Sequence, residues 1–176
     1  MALDGAQPKG DLAVVGEQIG RPARALLGVV ARCARGLPSV AKTAPHLADG
    51  TPFPTLYWLT CPAARAAIGG LEAGGLMREL NARLESDAEF AAAYVAAHES
   101  YLAAREELGA IEGRPGAGGM PRRVKCLHVH YAHHAAGGPN PVGALVAQRI
   151  EPLNCAKACV DGARAEIPED PRPKVR

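Results

Sequence analysis

The order of strand-like and helix-like segments is the feature that most restricts the fold of this chain. Three short segments with the composition of β-strands occupy 25–33, 39–43 and 55–60, and no helical pattern lies between them. From Pro62 onward the pattern becomes helical. Because strands that follow one another directly tend to pair as an antiparallel meander, we predict an α+β fold, with a small antiparallel sheet of about three strands packed against about five or six helices.

Helical signals also come before the strands and fill most of the chain after them. Ser86 and Glu89 have the spacing of a capping box, which predicts that a long helix begins at this point. Apolar and aromatic side chains at helical spacing predict its buried face: Phe90, Tyr94, Ala97, Tyr101 and Leu108. A further helix is predicted to begin at Pro121 and to end at Gly137. The other predicted helices are 11–18, 62–73, 76–84 and 140–150.

The length of 176 residues fits one domain with flexible ends. We predict a flexible N-terminus over 1–10, a single domain over 11–160 and a disordered, proline-rich and charged tail over 161–176. Hydrophobic residues make up 48% of the chain, but many are alanine and only 4% of residues are aromatic. We therefore expect closely packed helices with few large side chains to hold them.

Charge and composition argue against several classes of partner. Twenty basic residues against eighteen acidic ones give a net charge of +2, so there is no strong nucleic-acid signal. The sequence has no membrane span and no secretory signal, and we expect a cytoplasmic protein. In that compartment the five cysteines are expected to be thiols or metal ligands instead of disulfides.

The segment 118–143 concentrates groups that carry chemistry: one cysteine, four histidines and three basic residues. If it forms one helix, Cys126, His130 and His133 share a face, whereas His128 and His134 lie elsewhere. Neighbouring pairs on that face have spacings that can chelate one ion. All three together extend about 10.5 Å along the axis, too far for one tetrahedral ion. A metal here therefore needs ligands from other parts of the chain.

The other cysteines could supply those ligands. Four scattered cysteines can form a Cys₄ or Cys₃His site for zinc or an iron–sulfur cluster, although the sequence has no CxxC pair. Alternatively, the cysteines are small buried hydrophobic side chains. Cys126 could also be a nucleophile with a histidine base, because arginines and a helix N-terminus lower the pKa of a thiol.

Three basic side chains, Arg122, Arg123 and Lys125, follow Pro121 directly. In the first turn of a helix they would oppose the helix dipole, unless an anion binds to them and to the free backbone N–H groups. This predicts a site for a phosphorylated small molecule. The alternative is an ion pair with nearby carboxylates, for example from the long helix. No catalytic motif such as GxSxG, a P-loop or HExxH is present.

Four tracts of uncommon composition occur in a fixed order: VAKTAPHLADGTPFPTLYWLTCP (40–62), GLMRELNARL (75–84), AAAYVAAHESYLAAREEL (91–108) and GGMPRRVKCLHVHYAHHAAGGPNPVG (118–143). Together they resemble an actinobacterial family of unknown function, number 501 among domains of that kind. The resemblance covers roughly 12–160. It implies a fold unit and a bacterial cytosolic setting, but no activity. Genes of the family often lie near those for a septum-formation initiator and an exopolyphosphatase-type enzyme.

The family pattern, as the resemblance implies it, matches this sequence at Lys125, Cys126, His128, His133 and Asn140-Pro141. It also fits cysteines at 33, 61, 126 and near 159. The extra histidines His130 and His134 depart from the pattern. This departure shifts the expected site from histidine chelation toward cysteine ligands.

Our leading interpretation is a metal-binding protein that holds zinc or an iron–sulfur cluster. Its predicted ligands are Cys33, Cys61, Cys126 and Cys159, with His128 or His133 close by. Two other interpretations stay open. One is a non-catalytic module that binds another protein in cell-envelope or division control. The other is an enzyme or sensor that binds a phosphorylated ligand at Arg122, Arg123 and Lys125.

Overall fold

A computed structural model describes residues 9–169 of the chain and has the predicted α+β architecture. Within these residues the strands β1 (Leu26–Arg32), β2 (Pro38–Thr43) and β3 (Tyr57–Leu59) form one antiparallel sheet in the order β1-β2-β3. The six helices of this range are α1 (Lys9–Ile19), α2 (Pro62–Ala73), α3 (Leu76–Ser86), α4 (Ala88–Glu106), α5 (Leu127–Ala135) and α6 (Pro141–Ile150).

The predicted terminal segments lie only partly within the described residues. Residues 1–8 and 170–176 are outside the described range, whereas Lys9 and Gly10 belong to α1. The part of the predicted tail that is described, 161–169, contains neither helix nor strand. Among the helices of residues 9–169, none is long and apolar enough to cross a membrane.

Strand β2 is the middle strand and places the sheet against the helices. Val40 and Ala41 on this strand have no exposed surface. Val40 pairs with Leu59 of β3, and the backbone N–H groups of Thr60 and Cys61 both donate to the Ser39 carbonyl. The chain therefore leaves the sheet directly at Cys61, and Pro62 begins α2 because its fixed φ suits a first helical turn.

Helix α4 supplies three large aromatic side chains of the core, Phe90, Tyr94 and Tyr101. Phe90, Tyr94, Ala97 and Tyr101 are buried, which confirms the predicted face, while Leu108 lies beyond the helix and is partly buried. The Leu56 N–H donates to the Tyr101 hydroxyl over 2.6 Å. This bond connects α4 to the segment that enters β3.

The predicted capping box of α4 is wrong in its cap residue. Ser86 is the last residue of α3, and its hydroxyl donates to the Ala82 carbonyl of its own helix. Asp87 is the N-cap of α4, and its carboxylate accepts from the Phe90 N–H. A carboxylate at this position also interacts favourably with the positive end of the helix dipole.

Helix α5 begins six residues later than the predicted start at Pro121. Gly118 and Gly119 have φ values of 61° and 96°, a left-handed conformation that favours glycine and turns the chain. The side-chain amide of Asn81 then accepts from the Val124 N–H and donates to the Val124 carbonyl. Because these backbone groups bond to Asn81, the segment 121–126 is not helical.

Helix α6 begins as predicted, at Asn140-Pro141. The Gly143 N–H donates to Asn140 Oδ1 over 2.9 Å, and this bond fixes the orientation of the side-chain amide. Asn140 Nδ2 then lies 3.2 Å from Nδ1 of both His130 and His133, and it donates to the two rings of α5. A single side chain thus caps α6 and satisfies two buried imidazoles.

We expect Asn140→Ala to reduce the free energy of unfolding by about 3 kcal/mol. The substitution removes a helix cap, which costs about 1 kcal/mol, and leaves two buried acceptors without a donor, each at about 1 kcal/mol or more. Asp87→Ala is the matched control, because it removes an N-cap that makes no such buried contacts, and we expect it to cost about 1 kcal/mol. Urea unfolding at pH 7 measures both values, and equal losses would contradict the role given to Asn140.

Candidate functional site

Cys126, His128 and Glu72 come together where the start of α5 meets the end of α2. His128 Nδ1 lies 3.2 Å from Glu72 Oε1 and 3.8 Å from Cys126 Sγ. One ligand atom of each residue lies within 4.8 Å of the other two. Among the described residues, this is the one group of three or more histidine, cysteine or acidic side chains that is spaced to hold a metal ion.

The late start of α5 produces this arrangement. Cys126 is the N-cap residue in an extended conformation, with φ −152° and ψ 112°, and His128 lies in the first helical turn. Because the chain changes from extended to helical between Cys126 and His128, these two side chains lie beside each other. The Leu127 N–H donates to Glu72 Oε1 over 2.7 Å. Glu72 therefore caps α5 from another helix, at the end where the dipole favours a negative charge.

The hydrogen bonds of His128 determine which ring nitrogen faces the group. Nε2 lies 3.2 Å from the Arg65 carbonyl oxygen, and because a carbonyl only accepts, Nε2 carries a proton. Nδ1 is then the nitrogen that faces the sulfur and the carboxylate. A histidine that binds a metal usually donates its other N–H to a carbonyl or carboxylate in this way.

The surroundings favour the charged forms of Cys126 and His128. Burial raises the pKa of the Cys126 thiol, but the hydrogen bond to His128 and the backbone N–H groups of Val129 and His128 outweigh it, so the pKa lies below its ordinary value. The hydrogen bond with Cys126 raises the pKa of His128, against the effect of burial, and the charge of Glu72 adds to the increase. A thiolate is the form of cysteine that binds metals and attacks electrophiles.

The group is open to solvent. The side chains of His128 and Glu72 are 29% and 23% exposed, so an ion or a small molecule can reach them. His128 also lines a cavity of about 400 Å³, and the other residues that line it include three aromatic side chains and two arginines. The guanidinium of one of these, Arg21, lies 5.1 Å from the centre of the Trp58 ring. The other lining residues include Phe53, Tyr57 and Arg65.

The structure divides the predicted set of cysteine ligands. Cys126 lies beside His128, one of the two histidines predicted near the metal. The remaining cysteines line a different cavity, of about 900 Å³: Cys33, Cys61, Cys155 and Cys159. Within residues 9–169, no group spaced for a single ion combines Cys126 with any of these four. The fold therefore separates Cys126, which lies beside His128 and Glu72, from the other four cysteines, which line one cavity.

His133 and His130 lie in the interior instead of at the site. Because Asn140 donates to Nδ1 of both, each ring carries its proton on Nε2. His130 Nε2 lies 3.1 Å from the Tyr94 hydroxyl, which in turn donates to the Arg123 carbonyl over 3.0 Å. His133 stacks on the Tyr57 ring with 5.6 Å between centroids. Burial lowers the pKa of both histidines to about 4, so they are neutral near pH 7.

The predicted shared face of Cys126, His130 and His133 is therefore wrong. Cys126 precedes the helix, so helical spacing does not relate its side chain to the other two. The two histidines face Asn140 and the core, where they are almost fully buried.

Arg122, Arg123 and Lys125 are exposed and lie before α5, not in its first turn. The N-terminus of α5, which the sequence predicts to help bind an anion, already donates the Leu127 N–H to the Glu72 carboxylate. In the described part of the chain, none of the three basic side chains forms an ion pair, so the alternative of a carboxylate partner is not seen either. Anion binding by this basic segment alone stays a prediction.

Sequence reasoning missed Glu72. The short spacing of Cys126 and His128 is visible in the sequence, but Glu72 lies more than fifty residues earlier, near the end of a helix that carries no motif. Its proximity to His128 follows only from the packing of α2 against α5.

A family model described as "Protein of unknown function (DUF501)" matches residues 29–148. The match covers β1 from Val29 onward, strands β2 and β3, helices α2 to α5 and nearly all of α6, and it includes Glu72, Cys126 and His128. No curated protein and no solved structure matches the chain.

We expect the protein to lose stability as the pH falls from about 6.5 toward 4. In this window the unfolded chain binds protons on His130 and His133 while the folded chain does not, so unfolding becomes more favourable. Each histidine contributes a slope of up to about 1.4 kcal/mol per pH unit.

The variant His133→Gln tests this expectation, because it removes one of the two titrating rings. It should be less stable than the natural protein at pH 7, since the stacking on Tyr57 is lost. Its stability should then fall less steeply on acidification. Urea unfolding at a series of pH values measures both slopes, and identical slopes would show that His133 does not titrate as described.

Proposed function

Since the chain belongs to the DUF501 family, whose function is unknown, we propose a function from the site itself: Glu72, Cys126 and His128 bind one zinc ion. The observation that carries this proposal is the convergence of a thiol, an imidazole nitrogen and a carboxylate oxygen within 4.8 Å.

The spacing of the three ligand atoms fits a tetrahedral zinc ion. Bonds of about 2.0–2.3 Å at tetrahedral angles place the ligand atoms about 3.3–3.8 Å apart. The Nδ1–Oε1 and Nδ1–Sγ distances of 3.2 and 3.8 Å need only small changes to reach these values. A thiolate with an imidazole also favours zinc over the hard cations magnesium and calcium.

The orientation of His128 supports the same proposal. Its Nε2–H donates to the Arg65 carbonyl, so the Nδ1 lone pair is directed at the ligand group. The lowered pKa of Cys126 favours the thiolate that a metal requires, whereas the raised pKa of His128 means that metal binding must displace a proton from Nδ1. A reducing compartment such as the cytoplasm would keep this thiol available.

Three protein ligands leave one position of a tetrahedral ion for water or another ligand. This composition is typical of catalytic zinc sites, whereas structural sites are closed by four protein ligands. The neighbouring cavity beside His128, with Trp58 and the two arginines Arg21 and Arg65, offers aromatic and cationic contacts to a bound molecule. We therefore propose a zinc centre that takes a small-molecule ligand.

A second candidate uses the same residues without a metal. Cys126 at the N-terminus of α5, with His128 Nδ1 3.8 Å from its sulfur, has the arrangement of a cysteine nucleophile beside its base. Glu72 would then position the imidazole. The two remaining interpretations from the sequence, a protein-interaction module and a phosphorylated-ligand sensor, gain no contact from this geometry and stay predictions.

We expect the purified protein to bind about one equivalent of zinc, and Cys126→Ala and His128→Ala to weaken binding at least about 100-fold because each removes a ligand. Glu72→Gln should weaken it less, since an amide oxygen can still coordinate. His134→Ala is the matched control, because this histidine lies on the same helix away from the group. Titration calorimetry and cobalt substitution, which reports thiolate ligation by absorption, measure the binding.

The results also separate the two candidates. Zinc that protects Cys126 from alkylation supports the metal site. The alternative outcome is that the protein binds no stoichiometric zinc and that its Cys126 is alkylated faster than in the His128→Ala variant. That outcome would replace the zinc proposal with the cysteine nucleophile.

A further inference from the structure

The four cysteines outside the Glu72–Cys126–His128 site surround one cavity. Cys33 follows β1, and Cys61 is the N-cap of α2. Cys155 and Cys159 lie on the irregular segment after α6. Three parts of the chain that are far apart in sequence thus bring their thiols to a cavity of about 900 Å³, which Cys126 does not line.

Specific contacts hold the C-terminal cysteines at the cavity. Arg35 Nη2 donates to the carbonyls of Cys155 and Ala156 over 2.7 and 3.1 Å. Gln18 Nε2 lies 3.6 Å from Cys159 Sγ and also donates to the Pro38 carbonyl over 2.8 Å. Because Arg35 in the β1–β2 connection and Gln18 on α1 both contact this segment, the position of its thiols is a property of the fold.

The cavity suits a negatively charged group. Three cationic side chains, Arg32, Arg35 and Lys157, line it against one carboxylate, Glu151, although Arg32 is paired with Asp11. Cys61 precedes a helix of twelve residues; burial raises the pKa of its thiol, and the backbone N–H groups of Ala64 and Ala63 act in the opposite direction. The Gln18 amide is a hydrogen-bond donor to a cysteine sulfur, a contact of the kind that tunes iron–sulfur clusters.

The spacing of the four thiols does not fit a single ion. Around one zinc ion, with Zn–S bonds near 2.3 Å, all four sulfurs lie within about 3.8 Å of one another. Within residues 9–169, however, no group of three or more ligands within 4.8 Å includes any of these cysteines. A cluster distributes its four cysteines over two or four iron atoms and so accepts sulfurs that are further apart.

From this arrangement we propose that Cys33, Cys61, Cys155 and Cys159 bind an iron–sulfur cluster in the cavity. The site is separate from the zinc centre and shares no ligand with it.

The test is cluster assembly on the full-length protein, which is purified without oxygen and incubated with ferrous iron and sulfide. Iron and sulfide should be bound in stoichiometric amounts, with the visible absorption of a cluster. Cys155→Ser and Cys159→Ser should reduce bound iron at least about tenfold. Cys126→Ser is the matched control and should retain the cluster.

Cys155 and Cys159 are the main test positions because they are half-buried and exposed, so their replacement leaves the core intact. Circular dichroism of each variant confirms that it is folded. Cys61→Ser is a secondary test, since Cys61 is only 5% exposed and its replacement perturbs the core.

Three results would overturn the proposal: no bound iron and sulfide after incubation, stoichiometric zinc at these cysteines, or a cluster that survives in the Cys155 and Cys159 variants. The outcome is independent of the zinc centre. If the cluster proposal is wrong, the Cys155→Ser variant still binds zinc as the natural protein does. If the zinc proposal is wrong, the Cys126→Ser variant still binds iron as the natural protein does.

Discussion

A buried chain of hydrogen bonds that begins at Asn140 is the constraint on which the rest of the structure depends. Asn140 donates to His130, the protonated nitrogen of His130 faces the Tyr94 hydroxyl, and that hydroxyl donates to the Arg123 carbonyl. The chain joins α6, α5, α4 and the segment before α5. Every member has a defined donor or acceptor role, so the segment that leads to Cys126 has one position relative to the core. The candidate site follows from that position.

The Glu72–Cys126–His128 group, which has one thiol, and the cavity lined by the other four cysteines are built by different means. Glu72, Cys126 and His128 meet because two helix ends meet: Glu72 near the end of α2 caps the start of α5, and the same carboxylate approaches His128. The other four cysteines line one cavity, to which the end of β1, the start of α2 and the irregular segment after α6 contribute. Arg35 and Gln18 hold that irregular segment in place. The first group is close enough for one ion, whereas the second surrounds a larger space.

Part of this structure could be predicted because it depends on local pattern. The order of strands and helices gave the α+β fold, the aromatic spacing gave the buried face of α4, and Asn140-Pro141 gave the start of α6. The start of α5 could not be predicted in this way. Pro121 is a good first helical residue, but Asn81 of another helix binds the backbone of Val124 and keeps the segment extended.

The sequence by itself determined which chemical groups are present: Cys126 next to His128, four further cysteines, and histidines on α5. It also determined most of the helices and strands that carry them, because periodicity and caps are local properties, although Cys126 lies before α5 and not on it. Only the tertiary structure decided which groups meet. Glu72 joins Cys126 and His128 from a helix more than fifty residues earlier, while His133 turns inward to Asn140 at the start of the next helix. Both outcomes depend on how one helix packs against another, which periodicity within a single helix does not determine.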